Sequence, residues 1–119
     1  MTAGAERGRE PESELVSIIM PTYNCGAFIG ETIASVQAQA HSHWELLVVD
    51  DCSTDDTAEV VAALAENDPR IHYVRLEANS GAAMARNRAM ELAQGRYMAF
   101  LDSDDLWHPD KLRRQIDFM

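Results

Sequence analysis

Asp102, Asp104 and Asp105 crowd into the short run Leu101-Asp102-Ser103-Asp104-Asp105. Asp102 and Asp104 are two apart, so on extended backbone their side chains point the same way. A free Asp titrates near pH ~3.9, so at neutral pH the group is anionic and repels itself. A divalent cation relieves that repulsion. Oxygen-only ligands favour Mg or Mn over zinc, and Mg commonly pairs one or two carboxylates with phosphate oxygens of a ligand. The plainer alternative is an acidic turn before a helix, where Asp complements the helix dipole. Asp50-Asp51 form a second acidic pair, able to accept a hydrogen bond from a base or ribose, or to cap the helix that follows. Tyr23 can stack on a base or be an ordinary half-buried tyrosine. Arg86 can reach a phosphate or stay solvated, and for Arg88, whose neighbours give it no special placement, the second is favoured. His41, His43, His72 and His108 lack a metal-ligand spacing.

Elements that could gather these residues alternate along the chain. Val16–Met20 is an apolar run closed by Pro21 and reads as a buried strand. Ile29, Ile33, Val36 and Ala40 recur at helical spacing. Trp44–Val49 is the second strand. Ser53 or Thr54 is positioned to cap the next helix, with Asp55 and Asp56 in its first turn and Ala58, Val61 and Ala65 inward. Asn67-Asp68-Pro69 breaks that helix. Ile71–Leu76 is a third strand, and Ala82, Ala85, Ala89 and Leu92 mark a third helix, ended by Gly95 as a C-cap. Tyr97–Leu101 is the fourth strand. Pro109 opens a last helix with Leu112, Ile116 and Met119 inward.

This order predicts an α/β fold, a Rossmann-like parallel sheet with helices on both faces. Four polar segments each follow a strand: Pro21-Thr22-Tyr23-Asn24, Asp50-Asp51-Cys52-Ser53, Asn79-Ser80-Gly81 and Asp102-Ser103-Asp104-Asp105. In an open parallel sheet all four lie at the carboxyl edge, where ligands bind. They are expected to form one site.

The bulk composition limits the partners. The chain has 119 residues, the size of one domain, and is 46% hydrophobic, enough for a core. Its formal net charge of -10 argues against a nucleic-acid partner, which calls for clustered Lys and Arg. Cys25 and Cys52 give neither a disulfide framework nor a zinc spacing, as expected of reduced thiols in a cytoplasmic protein. Residues 1–14 are polar without periodicity and read as a flexible leader with no signal-peptide core. No stretch approaches the ~20 apolar residues of a membrane span.

The segment from Val16 to Met119 resembles the N-terminal part of family 2 glycosyltransferases. The resemblance rests on VSIIMPTYNCGAFIGETIASVQAQ, WELLVVDDCSTDDT, NSGAAMARNRAMELAQGRYMAFLDSDD and LWHPDKLRRQI, in that order. It implies a GT-A fold that binds a nucleoside diphosphate sugar, often a UDP-sugar, with Mn or Mg. The implied reaction transfers the sugar, with inversion, to a hydroxyl of a glycan or lipid-linked acceptor. By matching position, Pro21, Thr22 and Tyr23 line the nucleoside pocket, Asp51 contacts the base with Asp50 beside it, and Arg86 lies near the nucleotide. Asp102-Ser103-Asp104 becomes the DxD motif. Asp104 is then the direct metal ligand, Asp102 contacts ribose or metal, and Asp105 is a substitute ligand. The metal would stabilise charge developing on the leaving diphosphate. The family's general base lies well downstream of the DxD, so it is expected beyond Met119. The 119-residue chain alone is expected to bind donor weakly and transfer no sugar. An open sheet edge and apolar surface would admit a homodimer.

Other readings fit fewer loops. Leu47-Val48-Val49-Asp50-Asp51 looks like the acidic pair of a phosphotransfer receiver, but the position after the third strand offers Leu76-Glu77-Ala78-Asn79 and no phospho-accepting Asp. Phe100-Leu101-Asp102-Ser103-Asp104 matches a haloacid-dehalogenase loop, which belongs on a first strand and not a fourth. A non-catalytic interaction module is the remaining alternative. No G-x-G-x-x-G follows the first strand, which disfavours dinucleotide dehydrogenases. The Gly-rich first loop of sugar nucleotidyltransferases is missing as well.

Overall fold

A computed structural model describes residues 15–103 and 105–117. The expected leader, Asp104 and Met119 lie outside the described residues, as does the side chain of Ile116. In chain order the elements are β1 (Val16–Thr22), α1 (Ile29–Gln37), β2 (Trp44–Asp50), α2 (Thr57–Asn67), β3 (Ile71–Arg75), α3 (Ala82–Leu92), β4 (Tyr97–Phe100) and α4 (Lys111–Asp117). The strands form one sheet in the order β3-β2-β1-β4, every pair parallel. This is the expected Rossmann-like α/β architecture.

Side-chain alternation explains the two-sided core. Ile18 and Met20 of β1 and Leu46 and Val48 of β2 pack on one face with Ile29, Ile33 and Val36 of α1, Val61 of α2 and Leu112 of α4. Ile19, Leu47 and Val49 point to the other face and meet Ala85 and Ala89 of α3. Each fully buried aliphatic chain contributes roughly 1.5–3 kcal/mol. The two alanines let α3 come close, so its N-terminus sits directly above the carboxyl edge of β1 and β2. The central strands are buried except at half-buried Pro21, whereas the outer strands β3 and β4 leave His72, Met98 and Phe100 exposed.

Several local expectations are corrected. β1 does not stop at Pro21 but runs on to Thr22. Leu101 N–H donates to Ile19 O at the end of the β1–β4 ladder. The next N–H on that side of β1 would belong to residue 21, where proline has none. Pro21 therefore ends the pairing with β4, while Thr22 O still accepts Asp51 N–H at 2.8 Å on the β2 side. Ala40 lies beyond the end of α1 and is exposed, and Gln39 is buried in its place. Neither Ser53 nor Thr54 caps α2: Asp56 is its N-cap, without a side-chain cap bond, and the preceding Asp55 accepts Thr57 N–H at 3.0 Å and the Thr57 hydroxyl. Pro109 sits in the turn before α4 rather than in its first position. α3 ends at Leu92 with Ala93 as its C-cap, so Gly95 has another purpose. A Cβ there would lie 2.6 Å from Leu15 O and 2.8 Å from Ser17 N. Close approach to β1 requires the glycine.

Candidate functional site

Parallel strands put the C-terminal ends of β1, β2 and β4 at one edge, and the loops that follow them are bonded to one another. Asn24 Oδ1 accepts Thr54 N–H at 2.8 Å, joining the β1–α1 loop to the β2–α2 loop. Asp51 joins the second loop to the third: its Oδ1 accepts Ser80 N–H at 2.6 Å and its Oδ2 accepts Gly81 N–H at 2.9 Å. Asn79 Nδ2 donates to Asp51 O at 3.1 Å. The fourth loop closes on the first, with the Ser103 hydroxyl donating to Cys25 Sγ at 2.9 Å and the Thr32 hydroxyl donating to Ser103 O at 2.9 Å. Asp51 and Ser103 are thus tied into the same cluster of loops.

A cavity of about 280 Å³ opens at this rim, lined by Pro21, Thr22, Tyr23, Asp51, Asn79, Ala82 and Ala85. Its volume is near the low end of small-ligand sites, about 300–1,000 Å³. The wall chemistry follows from local sequence. Pro21 and the two alanines supply an apolar floor, and Ala82 and Ala85 leave space because they are small. Tyr23 is 48% exposed, which leaves its ring face open for stacking. Asp51 is only 4% exposed, so its carboxylate is a fixed acceptor rather than a mobile surface charge. Gly81 adopts φ 96°, a left-handed conformation that brings its N–H round to Asp51 at the start of α3.

The expected site residues divide. Pro21, Thr22, Tyr23 and Asp51 line the cavity, while Asp50 does not. Asp50 is fully buried on the opposite face of β2: its Oδ1 accepts Ser53 N–H at 2.9 Å and the Ser53 hydroxyl, and its Oδ2 accepts the Tyr73 hydroxyl. Burial pushes the Tyr73 phenol up to about 12, and the adjoining carboxylate adds to the effect. Arg86 follows Ala85 on α3, is exposed, and is not part of the lining. Asp102 and Asp105 are exposed at the fourth loop, with Asp105 N–H donating to Asp102 O at 3.0 Å, and Ser103 is buried. Asp104 lies outside the described residues; among those described, no group of three His, Cys, Asp or Glu is arranged to hold a metal ion. Hard carboxylate oxygens exposed on both sides of residue 104 are nevertheless the donor type that Mg or Mn requires.

Asn79, Ala82 and Ala85 belong to the lining, although only the polar run Asn79-Ser80-Gly81 and the small-residue helix face are visible in the sequence. The cross-loop role of Asn24 has no local signal, because its partners lie 29 to 31 residues away.

Known proteins share this fold. The family model described as glycosyl transferase family 2 matches residues 17–119. A Bacillus subtilis (strain 168) protein, TuaG, named as a teichuronic acid biosynthesis glycosyltransferase, is 57% identical over 105 residues, covering 88% of this chain and 42% of its own. The Escherichia coli UDP-Glc:alpha-D-GlcNAc-diphosphoundecaprenol beta-1,3-glucosyltransferase WfgD is 50% identical over 88% of this chain and 41% of its own. The chain therefore spans about two-fifths of the length of these curated relatives. The solved structure of S. aureus TarS 1-349 in complex with UDP-GlcNAc superposes with a TM-score of 0.80 at 36% identity, over 87% of this chain and 30% of that one. The mannosyltransferase PcManGT from Pyrobaculum calidifontis, in complex with GDP-Man and Mn2+, superposes with a TM-score of 0.79 at 29% identity, over 95% of this chain and 37% of that one. With this match over residues 17–119 and this sheet order, the chain belongs to glycosyltransferase family 2 and matches the N-terminal portion of the GT-A fold.

Proposed function

We propose that residues 15–119 form the donor-binding part of an inverting glycosyltransferase that takes its sugar from a nucleoside diphosphate, UDP, and passes it to a hydroxyl of a glycan or lipid-linked acceptor. The observation that carries this reading is the cavity at the sheet's carboxyl edge, where Tyr23 offers a ring face and Asp51 a buried carboxylate. An aromatic face with a fixed acceptor suits a planar base that carries an N–H donor, as uracil does. The complexes of TarS with UDP-GlcNAc and of PcManGT with GDP-Man support the same ligand class.

Asp102, Asp104 and Asp105 would hold Mn or Mg at the neighbouring loop. Bound there, the dication would neutralise charge on the diphosphate leaving group. The chain's own residues orient the nucleotide: Pro21 and Thr22 line the pocket beside Ala82 and Ala85, Tyr23 and Asp51 grip the base, and Ser103, tied to Cys25 and Thr32, sets the height of the acidic loop against the cavity. Arg86 is proposed to approach the nucleotide from the exposed flank of α3. No residue of this chain is assigned as the base that takes the acceptor's proton.

Calorimetric titration with UDP, GDP and TDP, each with and without Mn, tests the proposal. UDP is expected to bind most tightly, more so with Mn, and Asp104→Asn is expected to remove the Mn-dependent increment. Absence of binding by every nucleotide would overturn the reading, and an increment unchanged in the variant would overturn the metal assignment.

A further inference from the structure

Asn24 stands outside the cavity yet is bonded to three consecutive residues of the neighbouring loop. Its N–H donates to Ser53 Oγ at 2.8 Å, and its Oδ1 accepts Thr54 N–H at 2.8 Å and Asp55 N–H at 3.4 Å. The next two residues repeat the attachment: Cys25 N–H donates to Thr57 Oγ1 at 3.1 Å and Gly26 N–H to Asp55 Oδ2 at 3.1 Å. Among the described residues only Asn24 (φ 50°) and Cys52 (φ 66°) are non-glycine residues with positive φ, and they lie in the two loops so joined. Asn is one of the few side chains that tolerate that region.

The fold itself does not need this bridge. β1 and β2 are already aligned by seven paired residues, Val16 with Trp44 through Thr22 with Asp50, and the core beneath them is closed. What the bridge adds lies above the sheet. Asn24 follows Tyr23 directly, and the segment it grips, 53–55, begins two residues after Asp51. Tyr23 and Asp51 both line one cavity, each just beyond the end of its strand.

We propose that Asn24 is a positioning residue of the nucleotide site, latching the two loops so that the Tyr23 ring and the Asp51 carboxylate keep a fixed spacing. The inference rests on the nucleotide-binding reading above. A preorganised wall gains affinity because the ordering cost is met before the ligand arrives. The effect should fall on the nucleoside moiety and leave the diphosphate and its metal alone.

Asn24→Gly tests this, because glycine tolerates the same positive φ and removes the Oδ1 bonds to Thr54 and Asp55 while the backbone N–H bond to Ser53 stays. Asn24→Asp keeps an acceptor oxygen at the same place. Titration of the 119-residue chain is expected to show UDP and UMP affinity both reduced about tenfold in Asn24→Gly, and reduced less than about threefold in Asn24→Asp, by the loss of preorganisation. The Mn-dependent increment should be equal in all three proteins, and thermal midpoints should agree within a few degrees. Ser53→Ala removes the acceptor of the Asn24 N–H, and with it the hydroxyl that donates to Asp50, so it serves as a second variant with its thermal midpoint read alongside; it is expected to weaken UMP and UDP binding in equal proportion. Unchanged affinity in a folded Asn24→Gly or in Ser53→Ala overturns the latch while leaving the nucleotide reading standing. An unmodified chain that binds neither nucleotide overturns both.

Discussion

Asp50 and Asp51 are adjacent in sequence and point to opposite faces of the sheet. Asp50 is the last residue of β2 and turns toward Tyr73 and Ser53, on the side of α1 and α2. Asp51 turns toward Ser80 and Gly81 at the start of α3, on the side of the cavity. Strand alternation alone produces this division. It gives two like-charged neighbours separate duties: one braces the strand end and the other is a wall of the proposed site.

Asp50 should therefore matter for stability and little for ligand. Tyr73→Phe removes a hydroxyl donor and leaves a buried carboxylate oxygen without it, a loss of about 1–3 kcal/mol. Urea denaturation is expected to show that loss, with UDP affinity within about twofold because the cavity wall is untouched. A large drop in affinity at unchanged stability would place Asp50 in the binding site instead.

Asp51 should show the reverse pattern for ligand. Asp51→Asn keeps the size of the side chain but removes the charge and presents an amide where Ser80 or Gly81 now donates. A charge-assisted hydrogen bond is worth about 1.5–3 kcal/mol, so UDP affinity is expected to fall roughly tenfold or more. Calorimetry against UDP and CDP is informative here, because cytosine lacks the ring N–H that a carboxylate accepts. Discrimination between the two should shrink in the variant, and discrimination that stays constant would remove Asp51 from base recognition.

The layered fold was legible because apolar runs and helical spacings alternate along the chain, and the convergence of four loops follows from parallel strands alone. The separation of Asp50 from Asp51 was hidden by a single residue: with the second strand ended at Val49, both acids fall in one loop, whereas β2 includes Asp50. Pro21 misled in a similar way. It reads as a stop, but its missing N–H lies on the β4 side, so the strand continues against β2. The Asn24 latch depends on a backbone angle and on partners that only the folded chain brings near, so no local pattern announces it.

Two glycines give opposite expectations for the same substitution. Gly95→Ala would drive a Cβ to 2.6 Å from Leu15 O and 2.7 Å from Ser17 Oγ, disturbing the Ser17 hydroxyl that donates to buried Glu45. Overpacking of this kind costs about 1–3 kcal/mol. Gly30 lies within α1, where the nearest neighbour of an added Cβ is Val60 Cγ1 at 3.9 Å, an ordinary contact. Gly30→Ala is expected to stabilise by about 0.4–1 kcal/mol, since alanine has less freedom to lose in the unfolded chain. Thermal melts of the two variants should move in opposite directions, and a shift of the same sign would contradict the packing described for β1 and α1.

Asp68 should govern the acid limb of stability. Its Oδ1 accepts Arg70 N–H at 3.1 Å and Arg70 Nε at 3.0 Å, and its Oδ2 accepts Arg70 at 2.9 Å and Gln37 Nε2 at 3.1 Å. Arg70 in turn stacks on the Trp44 ring, 3.8 Å from its centroid. The Arg70 guanidinium hydrogen bonds hold the Asp68 carboxyl down, from the usual 3.8 to about 2. Because the folded value lies below the unfolded one, the stabilisation is fully present above about pH 4 and is lost as pH falls toward 2. The Arg70 side chain is 35% exposed, so solvent screening limits the contribution to about 1 kcal/mol. Asp68→Asn keeps the shape without the charge, and is expected to lower stability at pH 7 by that amount and to flatten the decline between pH 4 and pH 2. Denaturation curves across that range read both effects, and a variant whose acid limb runs parallel to that of the unmodified chain would show that other carboxylates set it.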